Sequence, residues 1–248
     1  MNVISSSYGN DSVAMIQWAH EQSLQDVHVV YIDTGWASLQ WPDRVVKAEQ
    51  WVESLGFKPV RLTPSVQFQQ LMRNRQGFPS QRYQWCSIHL KGVPFLEWID
   101  QADPENKATV LIGKRRAESQ ERKDTPEFVE ASEYHGGRRV WHPLYMHSDE
   151  DRNALLYRAG FEPLPHRSME CSPCINANRG DMRLLDEHDI AKVEQLEAEV
   201  GKTMFRPKRH SGAVGIRKVI AWANASKGAY NERQEDLFNG CSSGYCGF

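Results

Sequence analysis

Short apolar runs alternate with amphipathic stretches through the N-terminal part of the chain. Val3-Ile4 is a brief apolar start, consistent with a buried strand, and a run of small and polar residues follows at 5–12. Residues 13–19 (VAMIQWA) have the spacing of an amphipathic helix. Residues 27–32 (VHVVYI) form a β-branched run that stops at Asp33-Thr34-Gly35 and predicts a second strand. Helical periodicity returns over 45–55 and ends at Gly56, a C-cap residue by type, and 59–62 predicts a third strand. A loop-like stretch over 76–85 precedes a predicted helix over 90–99 and a buried strand over 109–113. After the dense mixed-charge segment at 114–124, residues 140–144 predict a last short strand. From about Ser148 helical patterns prevail, interrupted by cysteines near 170–174, with an amphipathic helix over 186–200. Strands alternating with helices of this length imply βαβ units: an α/β fold with an open, mostly parallel sheet covered by helices on both faces. The expected division is an α/β domain over 1–147, a helical region over 148–200 and a basic, partly mobile extension over 201–248.

Composition narrows the class. The chain has 248 residues, 40% of them hydrophobic and 25% charged, with a formal net charge of −2 and a mean hydropathy of −0.62. That suits one sizeable domain with a tail. No run approaches the ~18 apolar residues of a membrane span, and the N-terminus has no basic segment followed by an apolar stretch, so a cytoplasmic protein is expected. Five cysteines is an odd count that argues against a secreted disulfide scaffold and leaves metal or redox chemistry.

Three polar segments fall at strand ends. Ser5-Ser6-Ser7-Tyr8-Gly9-Asn10-Asp11-Ser12 leads directly into a helix, where backbone N–H groups and the helix dipole favour an anion. It has neither the Walker A spacing with its lysine nor the Rossmann glycine pattern, and the plainer alternative is an N-capping cluster. Asp33-Thr34-Gly35 would lie beside it, because ligands of open α/β sheets sit outside the carboxyl ends of the strands. The third is Gly113-x-Arg115-Arg116-x-Glu118-Ser119, whose arginines suit a phosphate or sulfate clamp; its alternative is a solvated charge run.

Cys171-Ser172-Pro173-Cys174 is a C-x-x-C in a chain without the thioredoxin-like context that a redox dithiol needs. With Cys86 it gives three soft ligands, suited to a 4Fe–4S cluster. The competitors are a zinc site completed by a histidine such as His89 or His166, and plain structural thiols.

These motifs, in this order over roughly 3–175, resemble the phosphoadenosine-phosphosulfate reductase family of the PP-loop (adenine nucleotide α-hydrolase-like) superfamily. Ser7-Tyr8-Gly9-Asn10-Asp11-Ser12 looks like its S-G-G-x-D-S loop with Tyr8 at the first glycine; Ser5-Ser6-Ser7-Tyr8-Gly9 is close to the reductase variant S-S-S-F-G. Asp33-Thr34-Gly35-Trp36 is similar to its D-T-G-Y/W turn, and Gly113 to Ser119 to its G-x-R-x-x-E-S segment. Cys86 to Lys91 looks like its C-x-x-x-x-K segment, with Trp85 where cluster-bearing members pair a second cysteine. The resemblance implies ATP with Mg²⁺ over residues 5–12, with Asp33 and Thr34 near the adenosine and Asp11 positioning the metal or the β,γ-phosphates. It places Arg115 and Arg116 against developing charge, and it implies a 4Fe–4S cluster on Cys86, Cys171 and Cys174, with the fourth iron either open or held by Cys241 or Cys246. The leading expectation is an ATP-dependent sulfur-transfer enzyme that adenylates its substrate and releases pyrophosphate, as in tRNA thiolation or DNA phosphorothioation. Its partners would be an adenine nucleotide, a sulfur donor such as a cysteine desulfurase, and DNA or tRNA. The alternative is a sulfonucleotide reductase whose Cys246 attacks the sulfate sulfur of APS or PAPS; a zinc-stapled adaptor ranks third. Lys202, Arg206, Lys208, Arg209, Arg217 and Lys218, with 114–123 and Arg138-Arg139, could form a local basic footprint for a polynucleotide, a solvated face being the commoner meaning of such residues. The tryptophans are mostly core by type, although Trp36 beside the 33–35 turn could stack on a base. The sequence leaves the oligomeric state open.

Overall fold

A computed structural model describes residues 1–205 and 214–225. Its centre is a six-stranded sheet in the order β3-β2-β1-β4-β6-β5, with β1 Asn2–Ser5, β2 Val27–Ile32, β3 Lys58–Leu62, β4 Thr109–Leu111, β5 Phe128–Ser132 and β6 Arg138–Trp141. All pairings are parallel except that of β5 with β6. The central strands are apolar on both sides because helices cover both faces, as a parallel sheet requires. On one face, Ile4, Val29, Tyr31 and Leu111 pack under α1 (Asn10–Glu21), α2 (Trp41–Ser54) and α6 (Asp149–Arg158). On the other, Val3, Val30, Ile32, Val110 and Val140 pack against Phe95 and Ile99 of α5 (Val93–Ala102). The short helix α4 (Trp85–Ser87) runs through a π-helical turn, Ile88–Gly92, into α5. The mostly parallel α/β architecture expected from the sequence is thus present, and β1 lies between strands that lead the chain away in opposite directions. That switch point opens a crevice above the ends of β1, β2 and β4.

A second, helical layer stands over this crevice. Phe68, Leu71 and Met72 of α3 (Phe68–Arg75) meet Met182 of α7 (Arg179–Arg183), Ile190, Val193 and Leu196 of α8 (Glu187–Val200), and Ile216 and Val219 of α9 (Ile216–Asn224). Cys86, Cys171 and Cys174 pack at the edge of this apolar cluster. α6, although beyond residue 147, shares its core with the sheet through Leu155 and Leu156.

Candidate active site: a cleft shared by a polar loop and three thiols

A cleft of about 970 Å³ lies over the carboxyl ends of the strands. From the 5–12 loop it is lined by Ser7, Gly9, Asn10, Asp11 and Ser12. The loop is shaped by its own hydroxyls: Ser12 Oγ accepts from the Ser7 N–H at 3.1 Å, Ser6 Oγ from the Tyr8 N–H at 3.1 Å, and Ser7 Oγ from the Gly9 N–H at 3.3 Å. Gly9 is the extended N-cap of α1, and a Cβ there would sit 2.9 Å from Ser168 Cβ. Asn10 exchanges two 2.9 Å hydrogen bonds with the backbone of Leu164, stapling the cleft's far wall to the loop.

Ser5, Ser6 and Tyr8 do not line the cleft. Tyr8 takes a left-handed φ of 55° while its ring is fully buried and stacked on Tyr31, centroids 5.6 Å apart. The left-handed backbone costs about 1–2 kcal/mol, and burying an aromatic ring contributes roughly 2–3 kcal/mol. Ring burial therefore makes a non-glycine residue tolerable at this position. Burial also pushes the Tyr8 hydroxyl pKa well up. Arg44 Nε donates to the Tyr8 carbonyl at 2.7 Å and holds the turn from α2.

Asp11 is ion-paired with Arg115 Nε, and Arg115 Nη2 donates to Asp149 at 2.9 Å, at the start of α6. Arg115 is 1% exposed; burial alone would lower its pKa, but Asp11 and Asp149 hold it above the ordinary value. Gly113 passes so near the N-terminus of α1 that a Cβ would meet the Asp11 carbonyl oxygen at 3.2 Å. Glu118 pairs with Arg122 at the cleft wall, and desolvation raises the Glu118 carboxyl pKa. Arg116, expected beside Arg115, turns elsewhere: its Nε donates to the Thr125 carbonyl at 2.9 Å and its guanidinium covers the Tyr145 ring at 4.9 Å. The backbone changes from extended at Arg115 to a 3-10 turn beginning at Arg116, so the two guanidiniums part. Ser119 also lies off the cleft, its hydroxyl buried.

Thr34 lines the cleft and is fully buried; its Oγ1 donates to the Glu170 carbonyl at 3.1 Å and lies 3.5 Å from Cys171 Sγ. Asp33 instead accepts from the Gly35 N–H at 3.0 Å, closing its own turn. Trp36 is 1% exposed, stacked on Phe68 at 4.4 Å and donating through Nε1 to the Pro173 carbonyl at 3.1 Å, so no face of its ring is left for a base. The indole is core, as its residue type favours, and the alternative of stacking on a base is set aside.

Cys86, Cys171 and Cys174 all line the same cleft. Burial pushes the thiols of Cys86 and Cys171 up to about 12, each reinforced by its neighbouring thiols and, at Cys171, by Glu170 and opposed by Lys91. Lys91 and Glu170, 9% and 7% exposed, form an ion pair of 2.9 Å beside them. Burial would lower the Lys91 pKa, but Glu170 and the thiols raise it well above the ordinary value. Among the described residues, no group of three or more His, Cys, Asp or Glu side chains is arranged as a metal site. The donor set nonetheless suits a soft metal centre, being three thiols at one apolar wall. Cys241 and Cys246 lie outside the described residues.

The sequence reading missed the ion pair of Lys91 and Glu170, Asp149 as the second carboxylate on Arg115, and Asn10 as a staple. Lys91 and Asn10 lay within motifs already singled out, without a signal for these partners, and Asp149 had one in the acidic helix start Ser148-Asp149-Glu150-Asp151. The basic footprint also needs correction. Arg138 is fully buried against Asp100 and Asp103, Arg217 pairs with Glu187 and Glu194, Arg139 covers Phe128, and Lys202 donates to the Gln76 carbonyl. Arg206, Lys208 and Arg209 lie outside the described residues. No described helix is long and apolar enough to cross a membrane.

A doubly covered sheet with a serine-rich loop at its switch point, facing three thiols across one cleft, defines an open α/β protein with its cleft at the carboxyl ends of the strands. Residues 1–171 match the phosphoadenosine phosphosulfate reductase domain, and the chain belongs to that enzyme family of the PP-loop superfamily. A curated relative, the uncharacterized protein MJ0066 of Methanocaldococcus jannaschii, is 27% identical over 117 residues; the match covers 47% of this chain and 23% of that protein's length. The phosphoadenylyl-sulfate (PAPS) reductase of Candida auris, solved as a phosphate complex, is similar with a TM-score of 0.48 and 14% identity, over 65% of this chain and 74% of that one.

Proposed function

We propose that the chain is an ATP-dependent sulfur-transfer enzyme that adenylates its substrate, releases pyrophosphate and exchanges the adenylated oxygen for sulfur. The observation that carries this reading is the joining of the loop bearing Asp11 and the three thiols in one cleft, which Thr34 also lines, 3.5 Å from Cys171 Sγ. The phosphates would lie against the N-terminus of α1, over Ser7, Gly9 and Ser12, where the helix dipole favours them. Asp11, paired with Arg115, would hold Mg²⁺ or orient the β,γ-phosphates. A substrate oxygen attacks the α-phosphorus and pyrophosphate leaves. A sulfur nucleophile then attacks the activated centre and AMP departs with the oxygen. Cys86, Cys171 and Cys174 would hold a 4Fe–4S cluster, with zinc as the alternative, and the cluster would supply sulfur-binding chemistry beside the nucleotide. A persulfide donor such as a cysteine desulfurase and a DNA or tRNA acceptor remain part of the proposal, although the described basic residues named for a polynucleotide are largely paired within the protein.

The family match supports a second reading, a sulfonucleotide reductase that releases sulfite from APS or PAPS through Cys246. The two are separated by assaying one preparation, purified without oxygen, for both products. Pyrophosphate released from labelled ATP and lost in Asp11→Asn is the expected result. Sulfite from APS or PAPS that disappears in Cys246→Ala, with no pyrophosphate from ATP, overturns the first reading in favour of the second.

A further inference from the structure

The turn that carries Cys171 and Cys174 is gripped from behind. Ser172, between the two cysteines, is 2% exposed and donates through Oγ to Asp189 Oδ2 at 2.5 Å. Asp189, 1% exposed in α8, pairs through Oδ1 with Lys192 Nζ at 2.6 Å. The same ammonium donates to the Ala37 carbonyl at 3.0 Å and stands 4.7 Å from the centroid of the Trp36 ring. One buried network therefore joins the cysteine turn, α8 and the 33–38 segment.

Its chemistry is out of keeping with its surroundings. The other inward residues of α8 are Ile190, Val193, Leu196 and Val200, and apolar residues of similar shape are generally as stabilising as a buried ion pair or more so. What a carboxylate adds over a leucine is direction: it accepts a hydrogen bond from one hydroxyl along one line. That hydroxyl belongs to the residue flanked by the paired thiols. We propose that Asp189 and Lys192 are positioning residues, which through Ser172 hold Cys171 and Cys174 toward Cys86 and the Thr34 turn in the geometry a soft metal centre requires. The proposal rests on the reading that these thiols take such a centre.

The test is titration of the metal-free full-length chain with Cd²⁺ without oxygen, followed by thiolate-to-cadmium charge-transfer absorption, with Cys171→Ser assigning the band to this site. Ser172→Ala and Asp189→Asn are expected to weaken Cd²⁺ binding about tenfold at a temperature where both are fully folded, and Ser172→Thr, which keeps the hydroxyl, to restore it. A merely stabilising network would lower the melting temperature of the variants and leave the affinity of the folded protein unchanged; that result overturns the proposal. Should Ser172→Ala not fold, Asp189→Asn, nearly isosteric with the native side chain, carries the comparison. Absence of the band in the unsubstituted chain would refute the soft-metal reading itself, an outcome distinct from equal binding by chain and variants.

Discussion

Replacing Lys91 with methionine keeps the length and apolar stem of the side chain but removes its charge. Glu170 would then be a carboxylate with 7% exposure facing raised-pKa thiols and no cation. Its Oε2 already has no hydrogen-bond partner, so the lost ammonium removes the partner of Oε1 as well. Breaking a buried pair from one side costs about 3–5 kcal/mol, whereas removing both charges together is often close to neutral. For a domain of this size each kcal/mol moves the melting temperature by roughly 2–4 °C. Lys91→Met should therefore melt about 6–20 °C lower, and Lys91→Met/Glu170→Gln should recover most of that loss. The assay is thermal unfolding of the four proteins of this double-mutant cycle, followed by circular dichroism in one buffer near pH 7.5. A single variant that melts within about 2 °C of the parent, or a double variant no better than the single, would refute the claim that the pair is buried and mutually dependent.

Two further outcomes follow from the geometry. His135 is 2% exposed and its pKa is depressed from 6.5 to about 4, chiefly by burial and secondarily by the charges of Lys114 and His142. The unfolded chain takes up the proton first, so the stability from a neutral His135 is complete above pH 6.5 and is lost as pH falls toward 4, at most about 3 kcal/mol; His135→Gln should flatten that part of a urea-unfolding profile against pH. Gly113→Ala places a methyl 3.2 Å from the Asp11 carbonyl oxygen and 3.3 Å from its carbon, so the start of α1 must yield. A stability cost of about 1–2 kcal/mol should accompany a loss of ATP affinity, measured calorimetrically, of about tenfold.

The sheet was legible where burial on both faces writes a mostly apolar run, as in β2 and β4, and where a loop of small residues separates strand from helix, as after β1. β5 escaped notice because Phe128–Ser132 is a half-exposed edge strand with two exposed residues inside it. The start of α2 was placed late because Trp41-Pro42 reads as a loop, although proline is well tolerated in a first helical turn. Within the site, Asp11, Arg115, Thr34 and the three cysteines were found from local motifs. Arg116 and Arg138 show the limit of that approach: an arginine in a charge run looks the same in sequence whether it faces a ligand, a carbonyl or the core. Lys91 and Glu170 were each visible beside a cysteine, but 79 residues separate them and no local pattern marks them as partners.

The cysteine turn is laced to the turn after β2 by main-chain bonds: the Ser38 N–H donates to the Met169 carbonyl at 3.0 Å and the Ser172 N–H to the Trp36 carbonyl at 2.8 Å, with Thr34 Oγ1 bonded between them. Moving Cys171 away from Thr34 would break all of these, at a net cost of about 1 kcal/mol each. The distance from Thr34 to the sulfur is consequently set by folding. Folding itself brings this sulfur to the Thr34 turn, and the entropy of that approach has already been spent when the chain folds.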